Sequence, residues 1–62
     1  MIPASGDYLT IDETAVLLKI SRWKLYDLLR NGDLASFRIG RRRLIPRTAI
    51  NDLVHRLMEE AA

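Results

Sequence analysis

A chain of 62 residues, 48% hydrophobic and 29% charged, has room for one small domain with a compact core, and its balance is too apolar for intrinsic disorder. It contains no cysteine, so neither a disulfide framework nor a thiolate zinc site supports the fold, and packing must do so. The formal net charge is only +2, yet residues 19 to 47 hold nine basic side chains against two acidic ones, a net of +7, while the flanks net −5. That distribution directs the middle of the chain toward a polyanionic partner.

No apolar run approaches the roughly 18 residues of a membrane span, and MIPASGDYLT lacks both the basic start and the apolar stretch of a signal peptide. There are no repeats or linkers, so residues 1–62 read as a single domain, with a cytoplasmic, nucleoid-associated location as the expectation. After a loose start, Thr10 followed by Glu13 has the spacing of a capping box and predicts a first helix of about two turns. Ile11, Ala15 and Leu18 form its apolar stripe, with Leu17 beside it.

Ser21 is a second N-cap candidate, and Asn31-Gly32 supplies a stop, so a second helix is expected over Arg22 to Arg30. Leu25, Leu28 and Leu29 share one face of it, and Arg22, Trp23, Tyr26, Asp27 and Arg30 share the other. Only KIS separates the two helices, which suits a helix-turn-helix with Ile20 pinning the corner.

SFRIGRRRLIP then alternates apolar and charged residues around a glycine, the pattern of a β-hairpin turning at Gly40-Arg41 in a type II′ turn. In that register Phe37 faces Leu44, a pair able to anchor the hairpin to the core. Arg38 faces Arg43, which sets like charges opposite each other at some cost in pairing free energy. Arg41 and Arg42 lie at the tip. A closing helix is expected from PRTAINDLVHRLMEE, with Pro46 in its first turn and Ile50, Leu53, Leu57 and Met58 at helical spacing. The architecture is therefore mainly α with a small β-hairpin, a winged helix-turn-helix.

Residues 8 to 50, YLTIDETAVLLKISRWKLYDLLRNGDLASFRIGRRRLIPRTAI, resemble the small winged-helix domains of the excisionase family, related to the MerR-type DNA-binding domain. The most specific parts are the YLT entry, RNGDL closing the second helix, and FRIGRRRLIPR with a glycine at the hairpin tip. The resemblance implies duplex DNA binding, with the second helix in the major groove and the wing in an adjacent minor groove. It also implies a recombination directionality factor that bends attachment-site DNA so that an integrase excises a mobile element. Cooperative self-association on DNA is a further expectation. Three positions depart from the family pattern. Lys19 stands where a glycine is common in the turn, and Trp23 and Lys24 replace smaller polar residues at the start of the recognition helix.

The residues themselves support DNA binding. Arginine donates two parallel hydrogen bonds to phosphate and fits a narrow minor groove. The expected recognition-helix contacts are Ser21, Arg22, Trp23, Lys24, Tyr26, Asp27 and Arg30, with the helix N-terminal turn nearest the base edges. The expected wing contacts are Arg38, Gly40, Arg41, Arg42 and Arg43, and Arg47 is an expected backbone contact. From sequence alone Trp23 and Tyr26 fit equally a half-buried aromatic against the core. His55 stands without another His or Cys, no catalytic constellation is visible, and no cofactor, metal or small-molecule partner is expected. The competing functions are a small winged-helix transcriptional repressor and an antirepressor-type module whose wing binds an acidic protein surface.

Overall fold

The first strand, β1 (Tyr8–Thr10), runs straight into helix α1 (Ile11–Leu18); a computed structural model describes residues 7–61. Helix α2 (Arg22–Arg30), strands β2 (Phe37–Ile39) and β3 (Arg42–Pro46), and helix α3 (Arg47–Ala61) follow. Residues 1–6 and 62, included in the single-domain expectation, lie outside the described residues.

Both helix-turn-helix elements form where the capping signals place them. Thr10 Oγ1 accepts from the Glu13 N–H at 3.1 Å and Glu13 Oε1 accepts from the Thr10 N–H at 2.9 Å, the reciprocal capping box. Ser21 Oγ accepts from the Lys24 N–H at 3.1 Å and starts α2. The two helices end alike. At the end of α2 the Asp33 N–H reaches the Leu28 carbonyl and the Gly32 N–H the Leu29 carbonyl, with Gly32 at φ +80. At the end of α1 the Ile20 N–H reaches the Ala15 carbonyl and the Lys19 N–H the Val16 carbonyl, with Lys19 at φ 59. A lysine thus occupies a left-handed position that glycine would take without strain, at a cost of about 1 kcal/mol.

The sheet has three strands, order β1-β3-β2, both pairs antiparallel. The described end of the expected loose start, from Tyr8, is therefore a strand, and the expected two-stranded wing is part of a larger sheet. Pro46 does not open the closing helix. It ends β3 opposite Tyr8, where its missing N–H breaks little of the ladder, and the next donor, the Arg47 N–H, bonds the Asp7 carbonyl at 2.8 Å. A strand partner for β3 explains the difference, because β1 extends the ladder by the turn of chain that a lone hairpin would have released into helix.

Leu9, Ala15, Leu25, Leu34, Ile45, Ile50 and Leu53 are buried together, so every element except β2 gives the core a side chain. Leu25 and Ile45 are fully buried, each stabilising the fold by about 1.5–3 kcal/mol. Thr14 is also fully buried, and its Oγ1–H donates to the Thr10 carbonyl at 2.9 Å, so the hydroxyl is satisfied.

The hairpin register is the expected one, Phe37 opposite Leu44 and Arg38 opposite Arg43, but its facing is reversed. Side chains alternate along a strand, so the face carrying Leu9 and Ile45 also carries Arg38 and Arg43. Phe37 and Leu44 lie on the outer face, half-buried and outside the core cluster, where the Phe37 ring meets Tyr8 edge to face at 5.4 Å. Ile45 is the anchor instead. The closing helix also differs from expectation: Ile50 and Leu53 are buried, whereas Leu57 and Met58 are 50% and 66% exposed. Its last turns run past the body, tied to it where Arg56 Nη2 donates to the Asp33 carbonyl.

Candidate nucleic-acid interface

Because Leu25 is buried and Leu28 and Leu29 pack against the core, α2 turns Arg22, Trp23, Lys24, Tyr26, Asp27 and Arg30 outward. Trp23 is 83% exposed and Tyr26 39%, so the reading of Trp23 as a half-buried core aromatic does not hold. A tryptophan held so far into water by its own helix position is available to a partner. Ser21 lies at the entry to this face with its oxygen accepting from Lys24.

The wing meets this face from the side. Gly40 has φ +60 while Arg41 is not left-handed, as a type II′ turn requires, and no atom lies within 4 Å of where a Cβ on Gly40 would stand. The glycine is there for its backbone. The reversed facing of the hairpin now has a consequence: Arg43, on the helix side of the sheet and beyond the last core residue, reaches α2. Arg22, Trp23, Tyr26, Leu29, Arg30 and Arg43 line an open groove of about 670 Å³. A second groove of about 260 Å³ is lined by Asp12, Arg22, Tyr26, Arg41, Arg42 and Arg43, with Thr10 and Ile11 at its edge. Arg22, Tyr26 and Arg43 belong to both, so helix and wing present one continuous cationic and aromatic surface.

Two carboxylates enter that surface. Asp12 Oδ1 lies 3.3 Å from Arg22 Nε, and Asp27 Oδ1 lies 3.4 Å from Arg30 Nη2. All four side chains are more than half exposed, so each pair contributes at most about 1 kcal/mol to stability and chiefly orients a guanidinium. Among the described residues no carboxylate pairs with Arg38, Arg41, Arg42 or Arg43.

The expected residues are not all brought together. Ser21, Lys24, Asp27, Arg38 and Gly40 are exposed but line neither groove, and Arg47 sits half-buried at the far end of β3 from the tip, roughly 17 Å away along the strand. Asp12, and Leu29 from the apolar face of α2, line the grooves although neither is among the expected contacts. The local signal at Asp12 was the capping box, which marks its neighbour Glu13, and its pairing with Arg22 crosses the turn between helices. Among the described residues no group of three or more His, Cys, Asp or Glu side chains is placed to hold a metal ion, and no helix is long and apolar enough to cross a membrane.

The chain matches the model of a helix-turn-helix domain over residues 8–58. It is 36% identical over 61 residues to the excisionase of Streptomyces ambofaciens, covering 98% of both chains. The chain belongs to the excisionase family of helix-turn-helix proteins. A Saccharopolyspora erythraea protein named "Probable excisionase" is 48% identical over 52 residues, which are 84% of this chain and 53% of that protein. This excisionase-family chain thus spans about half the length of one relative and nearly all of the other. No solved structure matches it. The helix-turn-helix match takes in α1, α2, the whole wing and most of α3, so the grooves described above lie inside the segment that defines the family.

Proposed function

We propose that this protein is a DNA-binding excisionase, a recombination directionality factor that binds and bends attachment-site duplex DNA to assist integrase-mediated excision of a mobile element. The observation that carries the reading is the shared groove in which Arg22 and Tyr26 of α2 meet Arg43 of β3, joining a groove-sized helix face to an arginine-tipped wing. The start of α2, Arg22, Trp23 and Lys24, enters the major groove and reaches base edges, as recognition helices do. Arg41 and Arg42 at the wing tip grip phosphates or a narrow minor groove, and Arg38 and Arg43 follow along the same face. Tyr26, Asp27 and Arg30 lie nearer the DNA backbone, with Arg47 as an outlying phosphate contact. The relatives named as excisionases support the assignment to excision.

In this role the protein acts without bond chemistry of its own, in the cytoplasm, and the strand breaks belong to the recombinase. The exposed Leu57 and Met58, next to Glu59 and Glu60 on the projecting end of α3, offer a surface for that partner. Self-association on adjacent sites completes the proposal. Titration of the protein against duplex DNA flanking its gene, at two salt concentrations, followed by an excision assay with the neighbouring recombinase, tests it. Salt-dependent binding with stimulated excision is expected. Binding without stimulation favours a transcriptional repressor, and no binding at low salt favours an antirepressor acting on a protein surface.

A further inference from the structure

We infer that Asp12 determines specificity: it positions Arg22 for base readout and keeps the helix-wing groove from holding phosphates indiscriminately. The inference rests on the DNA-binding reading above. Asp12 stands in the first turn of α1, outside the recognition helix and the wing, yet its carboxylate lines the groove that contains Arg22 and Arg41 to Arg43. A carboxylate in a phosphate-directed surface opposes binding, so its placement calls for a reason other than affinity.

Capping does not supply one, because Thr10 and Glu13 complete the capping box by themselves, and the field of the α1 N-terminus favours a carboxylate at Glu13 as well as at Asp12 without calling for one against Arg22. Packing does not either, since the Asp12 side chain is 74% exposed. What Asp12 does is hold one edge of a guanidinium: Oδ1 lies 3.3 Å from Arg22 Nε. Guanidinium is a rigid planar fork with five donors, so a carboxylate on the Nε edge turns the outer pair of nitrogens away from itself. That outer pair is the one that can donate twice to guanine O6 and N7 in the major groove. The same carboxylate offsets the charge of Arg22, so that a phosphate gains less by capturing it. Both effects act in one direction: they favour a base contact over a backbone contact. The Asp27–Arg30 pair lies within α2 itself, further from its N-terminal turn, whereas Asp12 reaches across from α1 to the first residue of the recognition helix.

The test uses the full chain and two duplexes, one enriched by the wild-type protein from a randomised library and one of random sequence and equal length. Affinities are measured over a salt series for the wild type, Asp12→Asn, Arg22→Ala and the double variant. Glu13→Gln serves as control, because it removes the same charge from the same turn while glutamine still completes a capping box. Thermal melts verify folding, which these exposed substitutions leave intact. Asp12→Asn is expected to tighten random-duplex binding and lower the enriched-to-random affinity ratio by about tenfold, the scale of one good base contact. Its log–log salt slope on random duplex should steepen by about 0.9, as one freed arginine takes up a phosphate. In the Arg22→Ala background the same substitution should leave the ratio unchanged, and Glu13→Gln should leave it unchanged alone. An equal effect of Glu13→Gln and Asp12→Asn, or a fall in the ratio that persists without Arg22, overturns the positioning role. A wild-type protein that binds and enriches duplexes while Asp12→Asn alters nothing overturns this inference alone. Failure of the wild type to bind either duplex overturns the DNA-binding reading and this inference with it.

Discussion

The arginines of the recognition helix and those of the wing are held differently. Arg22 and Arg30 each lean on a carboxylate, Asp12 and Asp27, whereas the wing's Arg38, Arg41, Arg42 and Arg43 have no such partner among the described residues. At Arg22, in the first turn of α2, the tether sets a preferred direction, which suits a contact that must match one base edge and fail on another; Arg30 lies further along the helix, on the side proposed for the DNA backbone. An untethered guanidinium reorients to any nearby phosphate, which suits a contact that adds affinity without reading sequence. On the proposed DNA-binding reading the like-charge pair Arg38/Arg43 has a physical reason: facing like charges disfavour the pairing in isolation, and phosphates would neutralise them.

That division depends first on the facing of the hairpin, since Arg43 reaches α2 only because Ile45 and not Phe37 anchors the sheet. Ile45→Ala should therefore cost about 2–5 kcal/mol, enough to unfold so small a domain in large part, while Phe37→Ala costs clearly less. Chemical denaturation of both variants checks this, and an equal or larger loss for Phe37→Ala would reverse the assignment of faces. Next in size, Arg22→Ala should reduce discrimination between enriched and random duplex by about 1–3 kcal/mol with little change in stability. Equal losses on both duplexes, seen in a competition titration, would make Arg22 a backbone contact and erase the contrast with the wing. The smallest effect is expected at the turn between helices. Lys19→Gly should raise stability by up to about 1 kcal/mol by removing a left-handed lysine, and leave the enriched-to-random affinity ratio where it was. A melting temperature that falls would show that the lysine side chain contributes more than its backbone costs.

Features set by near neighbours along the chain were legible in the sequence. The capping box at Thr10 and Glu13, the cap at Ser21, the stop at Gly32 and the turn at Gly40-Arg41 each rest on contacts within about five residues. Hairpin register was legible for the same reason. Which face of the hairpin meets the core was not, because both alternating sets carry apolar residues, Phe37, Ile39 and Leu44 in one and Ile45 in the other. The deciding contact is Ile45 against Leu9, a strand thirty-odd residues earlier in the chain. That same strand kept Pro46 out of the closing helix. In α3 the apolar spacing continues through Leu57 and Met58, but the core it would cover ends after Leu53, and periodicity carries no information on how far a neighbour extends. Of the site, the two basic surfaces were legible as charge and spacing, whereas Asp12 was not, since its partner is brought to it only by the turn at Lys19.

The measurement that bears most directly on a reading helix and a gripping wing is the salt dependence of binding by the Arg41→Ala/Arg42→Ala variant on enriched and random duplexes. The expected result is unchanged or slightly raised thermal stability, a log–log salt slope flatter by about two units, and nearly equal losses of affinity on both duplexes. Any preference of the wild type for A·T-rich flanks should vanish with the two arginines. Binding as tight as the wild type at every salt concentration, or a loss confined to the enriched duplex, would contradict a gripping wing.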